Sequence, residues 1–290
     1  MTKDDRRHPF RHSGEDRDAA HETPDTPQTR SPAYRLAFDD LDFILRDELR
    51  PVRLQLELLK PELMMREAGI ESTVVLFGGS RIPRPEDAHN ARTETLKGLA
   101  KYYDEARSFS QIISRRAIGN GHRCKVIVSG GGPGVMEAAS RGAHDVGGKC
   151  IGLNIVLPHE QAPNPYVTPE LCFNFHYFAI RKMHFLMRAE ALVCFPGGFG
   201  TLDELFEALT LIQTRKMRRI PVILFGREFW EKIINWEGLA EAGTISPGDL
   251  ELFQYVETAE QAMEVIDEWD SSCEMRMSNG EAPAPSRDIL

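Results

Sequence analysis

The segment of this sequence with the most groups capable of chemistry is FPGGFGTLDELFEALT, residues 195–210. Three glycines, the hydroxyl of Thr201 and the carboxylates of Asp203 and Glu204 lie within nine residues there, between an apolar run and a helical pattern. Backbone N–H groups at such a strand-to-helix turn suit a phosphate, whereas a carboxylate beside a phosphate is unfavourable for binding alone. The combination therefore favours catalysis on a phosphorylated ligand.

A structural alternative fits the same residues. Thr201 and Glu204 have the T-x-x-E spacing of a capping box, in which Glu204 would only accept a hydrogen bond from the backbone N–H of Thr201. Spacing alone leaves both interpretations open.

Two further glycine-rich turns follow apolar runs: GGSR at 78–81 and SGGGPGVMEAA at 129–139. In the second turn, Pro133 is expected at the first position of a helix, with backbone N–H groups available to an anion. The G-x-G-x-x-G pattern fails because Glu137 takes the place of the third glycine, and no GK[ST] ending follows. NAD and ATP are therefore disfavoured, and tight strand-to-helix packing remains an equal explanation for the glycines.

A basic segment precedes the loop at 195–210. The run FHYFAIRKMHFLMRAE at 175–190 predicts a helix with one mixed stripe at helical spacing, made of Phe178, Arg181, Phe185 and Arg188. The planar guanidinium of an arginine can hold a phosphate or a carboxylate at two points. A solvated helix face is the alternative for these basic residues.

The elements that position these loops follow an α/β rhythm. Helical patterns alternate with short apolar runs at 72–77, 125–129, 150–155, 191–195, 221–225 and 254–257. Continuous apolar strands imply helices on both faces of a parallel sheet, so the predicted fold is a doubly wound, Rossmann-like α/β sheet. Ligands bind such sheets at the carboxyl ends of the strands, where the three loops should meet.

The sequence divides into four predicted segments. Residues 1–32 are rich in charge, Pro, Ser and Thr and predict a disordered tail. Apolar residues at helical spacing predict a helical extension over 33–70. A single Rossmann-like domain is expected over 71–270, followed by a second disordered tail at 271–290.

Charge and hydropathy limit the function classes. The formal net charge of -9 disfavours a nucleic-acid partner, although it allows a small anion in a local cluster of donors. The first residues contain no apolar signal segment, and no run approaches the roughly 18 apolar residues of a membrane span. The expectation is a cytoplasmic protein with no membrane contact.

The motifs GGGPGVMEAA, Arg181-Lys182 and PGGFGTLDE, in this order, resemble the LOG (Lonely Guy) family, and the similarity runs from about Ser72 to about Trp269. The long N-terminus is similar to the longer bacterial subgroup. The resemblance implies a homodimeric phosphoribohydrolase with no metal or other cofactor. Its substrate would be a nucleoside 5′-monophosphate, either AMP or a cytokinin riboside 5′-monophosphate, cut at the N-glycosidic bond to free base and ribose 5-phosphate.

The resemblance also implies residue roles. Glu204 and Arg181 match the catalytic pair of the family, and Lys182 takes its neighbouring basic position. We expect the start of a helix to favour ionisation of Glu204. The expected substrate-binding residues are Gly79, Ser80, Gly130, Gly131, Gly132, Gly134, Lys182, Gly197, Gly198, Gly200 and Thr201.

Two other functions compete with hydrolysis: a non-catalytic binder, and a structural or signalling scaffold built on the N-terminal helices, which would explain none of the glycine-rich loops. A non-catalytic binder of a phosphorylated ligand, of the molybdenum cofactor carrier type, would use similar glycine-rich loops, but the pairing of Arg181 with Glu204 disfavours it. Family members have also been labelled lysine decarboxylases. The sequence shows no Schiff-base lysine setting for pyridoxal phosphate, so that label is rejected.

Overall fold

The computed structural model describes residues 11–158 and 162–278. The chain divides between Leu59 and Lys60 into two compact units, and this division falls within helix α3 (Arg50–Glu67). The predicted boundaries at 32, 70 and 270 stay predictions. In the part that is described, no helix has the length and apolar character needed to cross a membrane.

The N-terminal unit contains helices α1 (Ser13–His21) and α2 (Leu41–Ile44) and the beginning of α3. Helix α1 lies within the segment predicted to be disordered, and none of its side chains is buried. Asp40 caps α2 by accepting a hydrogen bond from the N–H of Phe43. Pro51 occupies the start of α3, where its fixed φ and missing N–H are tolerated.

The second unit is built on one seven-stranded sheet whose neighbouring strands are all parallel. Its strands are β1 (Thr73–Phe77), β2 (Val126–Ser129), β3 (Cys150–Ile155), β4 (Cys172–Phe175), β5 (Ala189–Cys194), β6 (Val222–Phe225) and β7 (Gln254–Val256). The spatial order is β4-β3-β2-β1-β5-β6-β7. The doubly wound α/β fold is confirmed.

Helices cover both faces of the sheet. They are α4 (Glu94–Gly98), α5 (Lys101–Gly119), α6 (Val135–Asp145), α7 (Phe178–Met187), α8 (Phe199–Gln213), α9 (Arg227–Ile233), α10 (Trp236–Glu241) and α11 (Ala259–Ser278). Helix α11 continues to Ser278, into the segment predicted as a disordered tail, and residues 279–290 lie outside the described part of the chain.

The central strand β1 is buried along its whole length because alternate side chains enter two different cores. Val74 and Leu76 pack in the core under α5, α6 and α11. Val75 and Phe77 pack in the opposite core under α7 and α8. Two covered faces explain why the strand is continuously apolar.

A buried ion pair joins α3 to the end of α7. Arg188, which caps the C-terminus of α7, donates from both terminal nitrogens to the carboxylate oxygens of Glu62, at 2.5 and 2.6 Å. The side chains are only 13% and 8% exposed. Arg188 lowers the pKa of Glu62 below its usual value through these hydrogen bonds.

Strand β4 was not predicted. The run at 175–190 predicts a helix that includes Phe175, whereas Phe175 ends β4 and α7 begins at Phe178. The strand is four residues long, lies at the sheet edge and exposes Asn174, so it has no continuous apolar run.

The order of the strands reverses between β1 and β5. Strands β2, β3 and β4 lie on one side of β1, and β5, β6 and β7 lie on the other. This is the topological switch point, where an open α/β sheet leaves a crevice at its carboxyl edge. The loops that follow Phe77 and Cys194 both emerge there.

Candidate functional site

A cavity of about 1080 Å³ lies at this switch point, lined by the loops that follow β1 and β5 and by parts of β3, α7 and α8. Nine of the thirteen predicted site residues line it: Gly79, Ser80, Gly130, Arg181, Gly197, Gly198, Gly200, Thr201 and Glu204. The remaining four, Gly131, Gly132, Gly134 and Lys182, do not.

The N-terminus of α8 forms one wall of the cavity. Gly198 is its N-cap, and no side chain occupies the cap. A Cβ added to Gly197 would lie only 2.1 Å from the hydroxyl oxygen of Thr201, so the close approach of the loop to the helix requires glycine there. The N–H of Gly79 donates to the carbonyl of Pro196 at 2.9 Å and holds the two loops together. The helix end is thus open to an anion.

The capping-box alternative for Glu204 is wrong. Helix α8 begins at Phe199, so Thr201 is its third residue and Glu204 its sixth. The N–H of Thr201 donates to the carbonyl of Gly198 at 3.0 Å. That N–H already has a backbone partner, and Glu204 is free for another role.

Glu204 is 7% exposed and lines the cavity. Burial raises the pKa of Glu204 to about 7, while the positive charge of Lys182 opposes this rise. The expectation that the helix start favours ionisation is therefore wrong. At the sixth position the carboxyl lies beyond the first turn, where the helix dipole acts most strongly, and desolvation dominates.

A hydrogen bond and a ring contact hold Arg181 in place. Its Nε donates to the carbonyl of Leu153 at 2.7 Å, and its guanidinium lies 5.2 Å from the centre of the Phe185 ring. A Cβ on Gly130 would lie 2.7 Å from Nη2 of Arg181. The charge of Arg181 also lowers the pKa of Glu204. Both members of the predicted catalytic pair line the same cavity.

Lys182 points to a different place from Arg181. Its Nζ lies 2.9 Å from a carboxylate oxygen of Asp203 and 2.9 Å from one of Glu207, and its side chain is 17% exposed. In the structure its side chain links α7 to α8, and a contact of Lys182 with substrate stays a prediction. The i, i+4 spacing of the two acids on one helix was the available signal for a basic partner.

Gly131 and Gly132 bind the protein's own chain. Their carbonyl oxygens accept hydrogen bonds from the side-chain amide of Asn164, at 3.0 and 3.1 Å. Gly134, with φ of 68°, is the N-cap of α6 and lies in a second cavity. The helix begins at Val135, so the prediction that Pro133 takes its first position is wrong, because the left-handed residue Gly134 intervenes.

Sequence reasoning missed two amides in the cavity wall. Asn154 of β3 and Asn174 of β4 are paired in the sheet register, and both line the cavity. The side-chain nitrogen of Asn154 donates to the carbonyl of Phe173 at 3.0 Å. Each is the polar residue in an otherwise apolar run, and this signal could have identified them.

This chain is similar to several known proteins. The model of the family described as "Possible lysine decarboxylase" matches residues 136–266. A cytokinin riboside 5′-monophosphate phosphoribohydrolase of Arabidopsis thaliana is 25% identical over 156 residues, which cover 53% of this chain and 71% of the relative. The protein of the same name from Oryza sativa subsp. japonica is 27% identical over 143 residues, covering 49% and 55%.

Solved structures with a similar fold include a molybdenum cofactor binding protein from Rippkaea orientalis, at 20% identity and a TM-score of 0.46, over 68% of this chain and 96% of that one. The Moco carrier protein of Chlamydomonas reinhardtii is 17% identical with a TM-score of 0.46, over 70% and 99%.

The fold and the cavity define a doubly wound α/β protein with glycine-rich loops at its switch point. Within that class, the family model and the curated relatives confirm the predicted resemblance to the LOG family. The bacterial subgroup stays a prediction.

Proposed function

We propose that this protein hydrolyses the N-glycosidic bond of a nucleoside 5′-monophosphate to free base and ribose 5-phosphate. The observation that carries the proposal is the buried Glu204, which shares a cavity with Arg181 and with the glycine-rich start of α8. The names of the curated relatives support the same reaction.

The 5′-phosphate belongs at the N-terminus of α8. No side chain caps the helix, so the backbone N–H groups of its first turn and the positive end of the helix dipole favour a dianion there. The loop at Gly79 and Ser80 faces the same cavity. A volume of about 1080 Å³ accommodates a nucleotide.

The chemical step builds positive charge on the ribose as the C1′–N bond breaks. Ionised Glu204 stabilises this charge and accepts a proton from the attacking water, whose oxygen bonds to C1′. The bonding electron pair leaves with the base nitrogen, which takes up a proton. A carboxyl with a pKa of about 7 suits this work, because it both accepts and returns a proton near neutral pH.

Arg181 keeps Glu204 partly ionised and orients the substrate. The hydrogen bond from its Nε to the Leu153 carbonyl fixes the position of the guanidinium, and Arg181 lines the site. A planar fork grips a carboxylate or phosphate at two points, which a lysine cannot reproduce.

The base would lie against the apolar wall of the cavity, which includes Ile155, Val156 and Phe178. An apolar wall suits a purine ring and also a purine with an apolar substituent. AMP and a cytokinin riboside 5′-monophosphate are therefore both proposed substrates.

The experiment is incubation with AMP, GMP, CMP and isopentenyladenosine monophosphate, with chromatography for the free base. Glu204→Gln should retain nucleotide binding and lower kcat by roughly 10² to 10⁴.

Arg181→Lys should also severely impair turnover in the same assay. The exposed Lys216 and Arg218 are the controls, and their replacement by Ala should leave turnover unchanged. Nucleotide binding without base release by the wild type would instead support the non-catalytic carrier.

A further inference from the structure

A second cavity of about 450 Å³ lies beside the first. The segment from Ser80 to Ile82, together with Leu96, lines both cavities. On its other side the second cavity reaches Pro133 and Gly134, the turn that leads into α6. It thus contains Gly134, one of the predicted substrate-binding residues.

The charge of this cavity is opposite to that of the protein as a whole. The chain carries a net charge of -9, yet Arg81, Arg84 and Arg92 converge on the cavity against only Asp87 and Glu137. Among the described residues, Arg81 and Arg92 lie within 4.0 Å of no carboxylate oxygen. A cleft lined with an excess of one charge concentrates ions of the opposite sign.

The third arginine is held by a buried framework. The Nε and Nη2 of Arg84 lie 2.8 and 2.7 Å from Glu137, and the hydroxyl of Tyr103 donates to the same carboxylate at 2.6 Å. The Glu137 side chain is 12% exposed. Arg84 has further N–H groups beyond these two contacts, because a guanidinium offers five donors.

The remaining polar groups also favour an anion. Ser80 and Asn90 offer side-chain donors in the lining, and the eleven-residue helix α6 presents its N-terminal end at Gly134. Helix N-termini attract negative charge.

We propose that this second cavity binds the phosphate group of a small phosphorylated molecule, at a site separate from the one that holds the substrate. Arg92 and Arg81 contribute unpaired charge, and Arg84 is set in position by Glu137. The volume is less than half that of the catalytic cavity and is sufficient for inorganic phosphate or a sugar phosphate.

The test is isothermal titration of the full chain with inorganic phosphate and, separately, with ribose 5-phosphate. Arg92→Glu is the test variant, because Arg92 is exposed and lies outside the catalytic cavity. Arg218→Glu is the matched control, with the same charge change at an exposed site elsewhere. Loss of a charged contact in Arg92→Glu should weaken phosphate binding roughly tenfold or more. Arg218→Glu should bind phosphate as the wild type does.

A second arm fills the catalytic cavity with AMP in Glu204→Gln and repeats the phosphate titration. Phosphate should still bind at the second cavity. Complete displacement by AMP, or equal affinity in Arg92→Glu and wild type, would overturn the proposal. Absence of AMP turnover by the wild type would refute the proposed function but not the second binding site, because the Arg92→Glu comparison needs no catalysis.

Discussion

At the scale of single residues, the state of Glu204 governs the expected pH dependence. Its carboxyl is faced by Arg181 and Lys182 from α7, by Asp203 and Glu207 from its own helix, and by Cys194 of β5. Because the ionised form is the proposed base and the pKa is about 7, kcat/KM should rise with pH and level off above about 7. Steady-state rates from pH 5 to 9 check this, and a rate independent of pH across that range would contradict the assignment.

The same carboxyl should cost stability at high pH. Its pKa rises on folding from 4.5 to about 7, so the folded state holds the proton more tightly and stability is lost as pH climbs through that window. Glu204→Gln removes this loss of unfolding free energy, which is about 3 kcal/mol above pH 7. The variant should match wild type near pH 4.5 and melt roughly 5 °C higher at pH 8.5. Equal melting temperatures at both pH values would show that Glu204 is not desolvated.

At the scale of elements, the link between α7 and α8 tunes the site without entering it. The charge of Lys182 lowers the pKa of Glu204, and Glu207 raises it. Lys182→Met should therefore shift the acidic limb of the pH–rate profile upward, and Glu207→Gln should shift it downward. Lys182→Arg, which keeps the charge, is the control. Shifts in the same direction for the first two variants would contradict this role.

Sequence periodicity was sufficient for the elements with strong local signals. The run at 72–77 is largely apolar because β1 is covered on both faces, and the glycine at 197 marks a close turn. Edge strand β4 was not predicted, because it is buried through pairing with β3, and local sequence periodicity does not report such a contact.

The candidate site was predictable in its residue types but not in its contacts. Arg181 and Glu204 meet in one cavity, as expected. The neighbouring Lys182 points away, because a side chain's direction depends on where α8 packs, which spacing within α7 does not encode. The buried state of Glu204 likewise arises from tertiary packing, so the raised pKa of its carboxyl could not be predicted from its distance to the helix start.

At the scale of the whole molecule, apolar side chains near the cavity favour a second subunit. Phe178, Met183 and Met187 of α7 are exposed, as are Phe206 and the 92% exposed Phe199 of α8. Exposed apolar residues grouped in this way mark interaction surfaces. We expect a homodimer, so light scattering at low micromolar concentration should give twice the 32.7 kDa of one chain.

Met183→Glu should convert this dimer to a monomer, because it places a charge in the apolar surface. Ile118→Glu, at an exposed apolar position on α5, is the control and should stay dimeric. A wild-type mass near that of one chain, with full activity, would rule the dimer out.

The ion pair between Arg188 and Glu62 determines how short a working fragment can be. A fragment starting at 71, the predicted domain boundary, would keep every cavity residue and yet lack Glu62. Arg188 would then be an uncompensated charge at the end of the helix that carries Arg181, at a cost of about 3 to 5 kcal/mol. A fragment starting at Lys60 retains the partner. The two fragments should differ in melting temperature by many degrees, although the residues between their starting points line neither cavity.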